Sequence, residues 1–241
     1  NQLINTYPKN IELFFLWNAI FLKSDIIVDL SQLPFSIAGV LTIYSMCIKL
    51  KIKREYAIYS SFLFFFTPII ILQSTTNYVD IAVSVLFLIA INFLMYDEPR
   101  NYINNRAGVV NLSEIKIPIL LSGLTAGILL GSKGSGPLFV MVLLAVIIIQ
   151  AFIRRTNLFN IISPKHCSPF TIHCLLFYLM YFITPIFLMG GYWYIKNWVL
   201  YNNPVYPMEV SLFNITLFKG LHVWIPDPTP DIINQLSPFS S

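Results

Sequence analysis

Long apolar stretches, separated by short polar or basic segments, organise this chain. One helix needs roughly 17 to 25 apolar residues to cross the hydrocarbon of a bilayer. Six segments approach that length: residues 30–48, 56–72, 79–96, 117–130, 137–152 and 172–190. The fourth is short and lies tight against the fifth. An earlier run over 11–22 is too short to cross and is expected as an interfacial or external helix. The pattern predicts an all-α integral membrane protein, a polytopic bundle of about six transmembrane helices over residues 30–190. Residues 1–29 then read as the end of an external loop with an interfacial helix, and 191–241 as an external aromatic and proline-rich segment.

Composition agrees with that class. The 241 residues are 56% hydrophobic and 15% aromatic but only 11% charged, with a mean hydropathy of +0.71. A soluble domain carries about 25% charged residues. The net charge of +4 does not imply nucleic acid, because its meaning lies in where the charges fall. Cys47, Cys167 and Cys174 leave an odd thiol and no disulfide framework. The chain begins at Asn1, shows no signal peptide and ends on a polar, proline-rich tail, so both ends read as cut from something larger.

Lys and Arg concentrate in cytoplasmic loops, which orients the spans. Lys49, Lys51, Lys53 and Arg54 follow the first span, Arg100, Arg106 and Lys116 the third, and Arg154, Arg155 and Lys165 the fifth. Lys9, Lys23, Lys133, Lys196 and Lys219 fall on the other side. Ten of the fifteen cations thus mark the cytoplasmic side, and the N-terminus and C-terminal tail are expected outside the plasma membrane, the inner membrane in a bacterium. Glu12, Asp25, Asp29, the 75–80 loop, Lys133 and the 196–207 segment then share the external face.

Lys133 is the sole charge between Ile117 and Ile149, and it sits in Gly131-Ser132-Lys133-Gly134-Ser135-Gly136. A charge near hydrocarbon faces a cavity, a partner or a headgroup, and a lysine at the end of a hairpin can also snorkel. Flanking glycines and serines supply backbone N–H groups and a tight turn, a combination suited to phosphate. Gly123, Gly127 and Gly131 recur every four residues, which lays a small-residue groove along one helix face for close packing.

Asp80 follows the polar run Gln73-Ser74-Thr75-Thr76-Asn77-Tyr78 and opens the third span. It reads either as a first-turn carboxylate favoured by the helix dipole or as a group that orients a sugar hydroxyl, or less readily a divalent metal. Glu12 lies in the first turn of the early apolar run, and Asp25 and Asp29 stand before the first span, all of them also explicable as solvated acids. His166-Cys167 and His173-Cys174 repeat at seven residues, but the spacing matches no zinc pattern. Tyr192-Trp193-Tyr194-Ile195-Lys196-Asn197-Trp198 suits an interfacial aromatic belt, with Lys196-Asn197 and Asn203-Pro204 as candidates for holding an anionic headgroup.

In order along the chain stand Tyr7-Pro8 with Glu12 and Trp17, the 25–32 approach to a span, and Pro68 followed by Tyr78 and Asp80. Gly123 to Lys133 come next, then Lys196-Asn197 with Asn203-Pro204-Val205-Tyr206-Pro207. Together these resemble the C-type glycosyltransferases, polytopic enzymes that use polyprenyl-phosphate sugars. The likeness is to the branch of protein mannosyltransferase relatives and aminoarabinose transferases. The resemblance implies Lys133 on the lipid phosphate and Asp80 in the active-site vestibule; Asp80 and Glu12 are the candidate catalytic carboxylates, and Lys196 and Asn197 the candidates for helping Lys133 hold the phosphate. The resemblance also implies that the principal catalytic base lies upstream of Asn1. Lys196 stands where an arginine is common, and Asn202 where a glycine often precedes Asn-Pro. The function so implied is transfer of a sugar from a polyprenyl-phosphate donor to a lipid, glycan or protein acceptor on the extracytoplasmic face. No cofactor is required by it, and a divalent metal stays an option. The rival is a transporter or lipid flippase, which internal repeats with broken helices at matching positions would favour.

Overall fold

A computed structural model describes residues 3–22, 28–95, 112–161, 172–213 and 215–221. After a 3₁₀ turn at Leu3–Thr6 come α1 (Asn10–Leu22), α2 (Leu33–Lys49), α3 (Arg54–Phe65), α4 (Pro68–Ser74) and α5 (Asp80–Leu94). These are followed by α6 (Leu112–Leu130), α7 (Gly136–Ile161), α8 (Ile172–Tyr201), β1 (Val210–Leu212) and β2 (Ile215–Phe218). The chain is mostly helical, as the apolar runs predict. Asp25, Arg100, Arg106, Lys165 and the His166-Cys167 pair lie outside the described residues, as do the side chains of His173 and Cys174.

The structure departs from the sequence expectation at several points, among them α6, which starts at Leu112, and α7, which runs to Ile161. The run over 56–72 is two helices, because Pro68 pushes Thr67 out of the helical region to ψ 124°. α3 and α4 meet there at 57°, and Thr67 Oγ1 donates to the Leu63 carbonyl at 2.9 Å, covering one of the acceptors that the break frees. The last helix does not stop at Gly190 but continues through the aromatic segment to Tyr201. It ends where Asn202 takes φ 51°, a left-handed cap that asparagine tolerates nearly as well as glycine. The chain is also not wholly α. Val210–Leu212 pairs antiparallel with Ile215–Phe218, a short β-branched hairpin whose reversal passes through Phe213 at φ 48°.

α6 is central. Its Ala126 packs with Ala90 and Leu94 of α5, Val140, Leu143 and Ile147 of α7, and Phe182 and Ile186 of α8. A second cluster joins Ile11 and Phe15 of α1 to Ala82, Val83 and Leu86 of α5 and Leu129 of α6. The glycine groove carries the α6–α8 contact. A Cβ at Gly123 would stand 2.5 Å from the Phe182 carbonyl oxygen, and one at Gly127 would stand 2.8 Å from that of Pro185. Both obstacles are backbone, so the helices themselves would have to separate. Gly123→Ala is therefore expected to destabilise the fold by about 1 to 3 kcal/mol, visible as a lower midpoint of thermal unfolding in detergent. An unchanged midpoint would show that this helix pair does not set stability.

Among the described residues no single helix is long and apolar enough to cross a membrane, although α3 and α4 pass together as a bent pair. Large apolar side chains nonetheless stand exposed on nearly every helix, among them Leu41, Leu63, Leu138, Phe187, Leu188 and Val199.

Candidate functional site

One end of the bundle gathers the start of α1, the first turn of α5, the α6–α7 turn and the last turns of α8. Asn10 is the tie. Its amide N–H donates to the Gly131 carbonyl at 2.8 Å, and its Nδ2 donates to those of Met189 (2.9 Å) and Ile128 (3.4 Å). Its Oδ1 accepts from Trp193 Nε1 at 2.9 Å. One side chain thus holds α1, the C-terminal end of α6 and α8 in fixed relation. Sequence reasoning did not single it out, since an asparagine at a helix start reads as a local cap. Tyr194 adds a second tie from α8, its hydroxyl donating to the Leu130 carbonyl at 3.1 Å. Burial pushes that phenol above its ordinary range, so it serves there as a donor.

The α5 end is held by a side chain from another helix. Val79 precedes α5 and offers no capping oxygen, so the Ala82 amide donates instead to Oε1 of the fully buried Gln32 at 3.3 Å. Gln32 Nε2 donates to the carbonyls of Gln73 (3.2 Å) and Thr76 (3.3 Å), which pins the polar run before Asp80. The run is therefore a scaffold for Asp80. Gln32→Leu would leave the buried Ala82 amide and the Thr76 carbonyl without this partner, while the Gln73 carbonyl keeps the Thr76 amide and hydroxyl, a loss of about 1 to 3 kcal/mol at the buried amide. Faster hydrogen exchange at Ala82 and across 73–76 is the expected readout; unchanged protection there would deny Gln32 this role.

Asp80 and Lys133, 53 residues apart, meet as an ion pair in which Lys133 Nζ donates to Asp80 Oδ1. Each side chain is 43% exposed, so the pair sits at the mouth of the site rather than within the core. The turn beneath Lys133 is closed by its own backbone: Ser132 donates to Leu129, Gly136 to Lys133 and Gly131 to Gly127. Those amides are taken, contrary to a simple count of glycines. The consecutive amides of Lys133, Gly134 and Ser135 carry no hydrogen bond among the described residues, and a run of unpaired amides beside an ammonium is the arrangement that binds anions.

On the other side of Gly134 lies an open cleft of about 310 Å³ including its mouth. Thr6, Tyr7, Gly134, Trp193, Asn197 and Tyr206 are among its walls. The Tyr7-Pro8, Lys133-turn, Asn197 and 204–206 segments of the sequence analysis thus converge on one place. Asn203 holds the last of them: its Nδ2 donates to Met208 O (2.8 Å) and Lys219 O (3.0 Å), and its Oδ1 accepts from the Val205 amide (2.9 Å).

The remaining expected site residues are placed differently. Lys196 does not join Lys133; its Nζ donates to the Asn5 carbonyl at 2.8 Å and lies 5.3 Å from the centre of the Trp193 ring. Asn197 is 3% exposed, and both of its Nδ2 hydrogens are directed to backbone carbonyls, of Thr6 at 2.8 Å and Tyr206 at 3.3 Å. It therefore has no donor left for a phosphate. Glu12 is exposed on α1 and pairs with none of the described residues. Surface substitutions of that kind shift energies by about 0.5 kcal/mol, so Glu12→Gln is expected to keep activity within about twofold. A larger loss at equal expression would return Glu12 to the chemistry. Among the described residues no group of three His, Cys, Asp or Glu could hold a metal. No known protein family, curated protein or solved structure matches the chain.

Proposed function

We propose that this chain is part of a membrane glycosyltransferase that moves a sugar from a polyprenyl-phosphate donor to an acceptor on the extracytoplasmic face. The observation that carries this reading is the Lys133–Asp80 pair, set at a turn with three consecutive amides unpaired among the described residues and beside an aromatic cleft. A cation and free amides suit a phosphate, and a neighbouring carboxylate suits a hydroxyl. The large apolar side chains exposed on nearly every helix support a bilayer as the surrounding solvent, since a monomer in water seldom leaves so many uncovered.

In the reaction the acceptor O–H gives its proton to a carboxylate while its oxygen attacks the anomeric carbon. The bond from that carbon to the phosphate oxygen breaks, and the electron pair leaves on polyprenyl phosphate. Lys133 and the 133–135 amides stabilise the charge that grows on this leaving group. Asp80 is the carboxylate within reach of the same turn. The test is transfer in membranes supplied with a radiolabelled polyprenyl-phosphate sugar. Label moving to lipid, glycan or protein supports the reading; transfer from a nucleotide sugar alone, or none, ends it.

One observation favours a second reading. The 57° break between α3 and α4 is a broken helix in the first half of the chain, a feature of transporters and flippases. Movement of a fluorescent polyprenyl phosphate across reconstituted vesicles, without sugar transfer, would select it.

A further inference from the structure

The far end of the bundle carries a concentration of charge that the proposed reaction does not use. Gln32, just before α2, reaches Ala82 in the first turn of α5, while Lys49 at the other end of α2 donates to the Asn92 carbonyl near the end of α5. The α2–α3 turn therefore stands away from the Asp80 end by the length of α2, about 25 Å at 1.5 Å per residue. In that turn Lys51, Lys53 and Arg54 are exposed, and their side chains make no hydrogen bond or ion pair among the described residues. One acid, Glu55, stands beside them, so the turn keeps a net positive charge. The amides of Leu50, Lys51 and Ile52 close onto the Met46, Ile48 and Cys47 carbonyls, and Lys51 takes φ 60°. Glycine is the default at such a helix end, so a lysine there carries a conformational cost. From this we infer that the α2–α3 turn is a docking surface for the headgroups of anionic phospholipid, in the leaflet opposite to the Lys133 turn.

The side chains around the cations decide what the turn meets. Leu50, Ile52 and Tyr56 alternate with them and are exposed as well. Tyr56, Tyr59 and Leu63 follow along one face of α3, three and four residues apart and 58%, 71% and 73% exposed. On α2, Ile48 and Leu41 stand seven apart and are likewise exposed. Cation, then tyrosine, then aliphatic is the order in which a bilayer passes from headgroup through interface to hydrocarbon. An acidic protein or a free phosphate would meet the cations but leave the apolar side chains between them in water. A negatively charged leaflet favours each nearby Lys or Arg by about fivefold, a gain that a zwitterionic leaflet lacks. The turn also differs from the one at Lys133, whose ammonium is held by Asp80. Cations without fixed partners suit a fluid layer of headgroups rather than one bound phosphate.

The inference rests on the membrane part of the proposed function and not on sugar transfer. Its test uses the whole chain in phosphatidylcholine nanodiscs that carry a trace of photoactivatable phosphatidylglycerol or photoactivatable phosphatidylcholine, reactive near the glycerol. Peptide mapping after irradiation compares labelling of residues 48–59 with labelling elsewhere. Residues 48–59 should favour phosphatidylglycerol by about fivefold or more. Roughly 1 M salt, which shortens the Debye length to about 3 Å, should bring that ratio near one. The combined variant Lys51→Gln, Lys53→Gln and Arg54→Gln should do the same without salt, at a similar unfolding midpoint. Lys9→Gln with Lys219→Gln, which removes two cations from the segments at the opposite end, should leave the ratio unchanged. Should the triple variant not fold, the salt arm on the unaltered chain decides alone. Equal labelling by the two lipids, a preference that survives the triple substitution, or one lost equally in the Lys9 and Lys219 variant would overturn the docking surface. So would a preference abolished when phosphate replaces chloride at constant ionic strength, since the occupant would then be free phosphate. Labelling of the other helices without preference at 48–59 would remove this inference and leave the chain in its bilayer; no labelling anywhere would remove the membrane reading with it.

Discussion

Lys133→Ala should lower sugar transfer by about 10² to 10³-fold, the loss that follows removal of one preorganised stabiliser of developing charge. The leaving group is a phosphate whose charge rises as the bond to the anomeric carbon breaks. Lys133 is the cation at the turn whose amides at 133–135 are unpaired among the described residues, and Lys196 is turned away onto Asn5 and Trp193. No neighbouring cation takes over in the described site. The fold should tolerate the change, because an ion pair this exposed contributes only about 0 to 1 kcal/mol to stability. Lys133→Arg should recover part of the activity, since the charge returns on a bulkier, planar head. The measurement is initial-rate transfer at matched expression with unfolding midpoints alongside. Turnover of the alanine variant within about twofold of wild type would take Lys133 out of the mechanism.

Asp80→Asn should split the kinetic constants in opposite directions. Asp80 is the partner that Lys133 holds, so an arriving phosphate must compete with a carboxylate for the ammonium. Asparagine is nearly isosteric but neutral, a weaker competitor, and the donor KM is expected to fall or stay level. With Asp80 as the base, the turnover number should drop by about 10²-fold or more, because an amide cannot take the proton of the acceptor hydroxyl; turnover little changed would leave that role to the upstream carboxylate that the resemblance implies. A pure positioning role predicts the reverse: a higher donor KM, from a lysine no longer held, with turnover little changed. The two results are separable in one saturation curve, and the second would restrict Asp80 to holding Lys133.

These expectations depend on features with different visibility in the sequence. The apolar runs announced nearly every helix, and the four-residue glycine spacing announced the groove through which α6 meets α8, because both are periodic patterns of side-chain size and polarity. Lys133 was legible too, being a lone charge in a long apolar stretch. The break at Thr67 was signalled by Pro68, though an uninterrupted apolar run concealed it. Continuation of α8 to Tyr201 had no local signal. Its aromatic turns suit an interface as well as a helix, and what keeps them helical is their contact with Asn10 and Leu130.

What the sequence by itself determined was therefore the apolar helical character, the small-residue packing face and the residue types at the candidate site. Only the tertiary structure decided how those residues are used. It paired Lys133 with Asp80, sent Lys196 to the Asn5 carbonyl, left Glu12 exposed, and turned the Asn197 amide toward two carbonyls. It also gave Asn10 and Gln32 their parts as ties between distant segments. The physical reason is common to all of these. Periodicity and composition act within one segment, whereas a hydrogen bond or ion pair is chosen among donors and acceptors that only the packing of separate helices brings within reach.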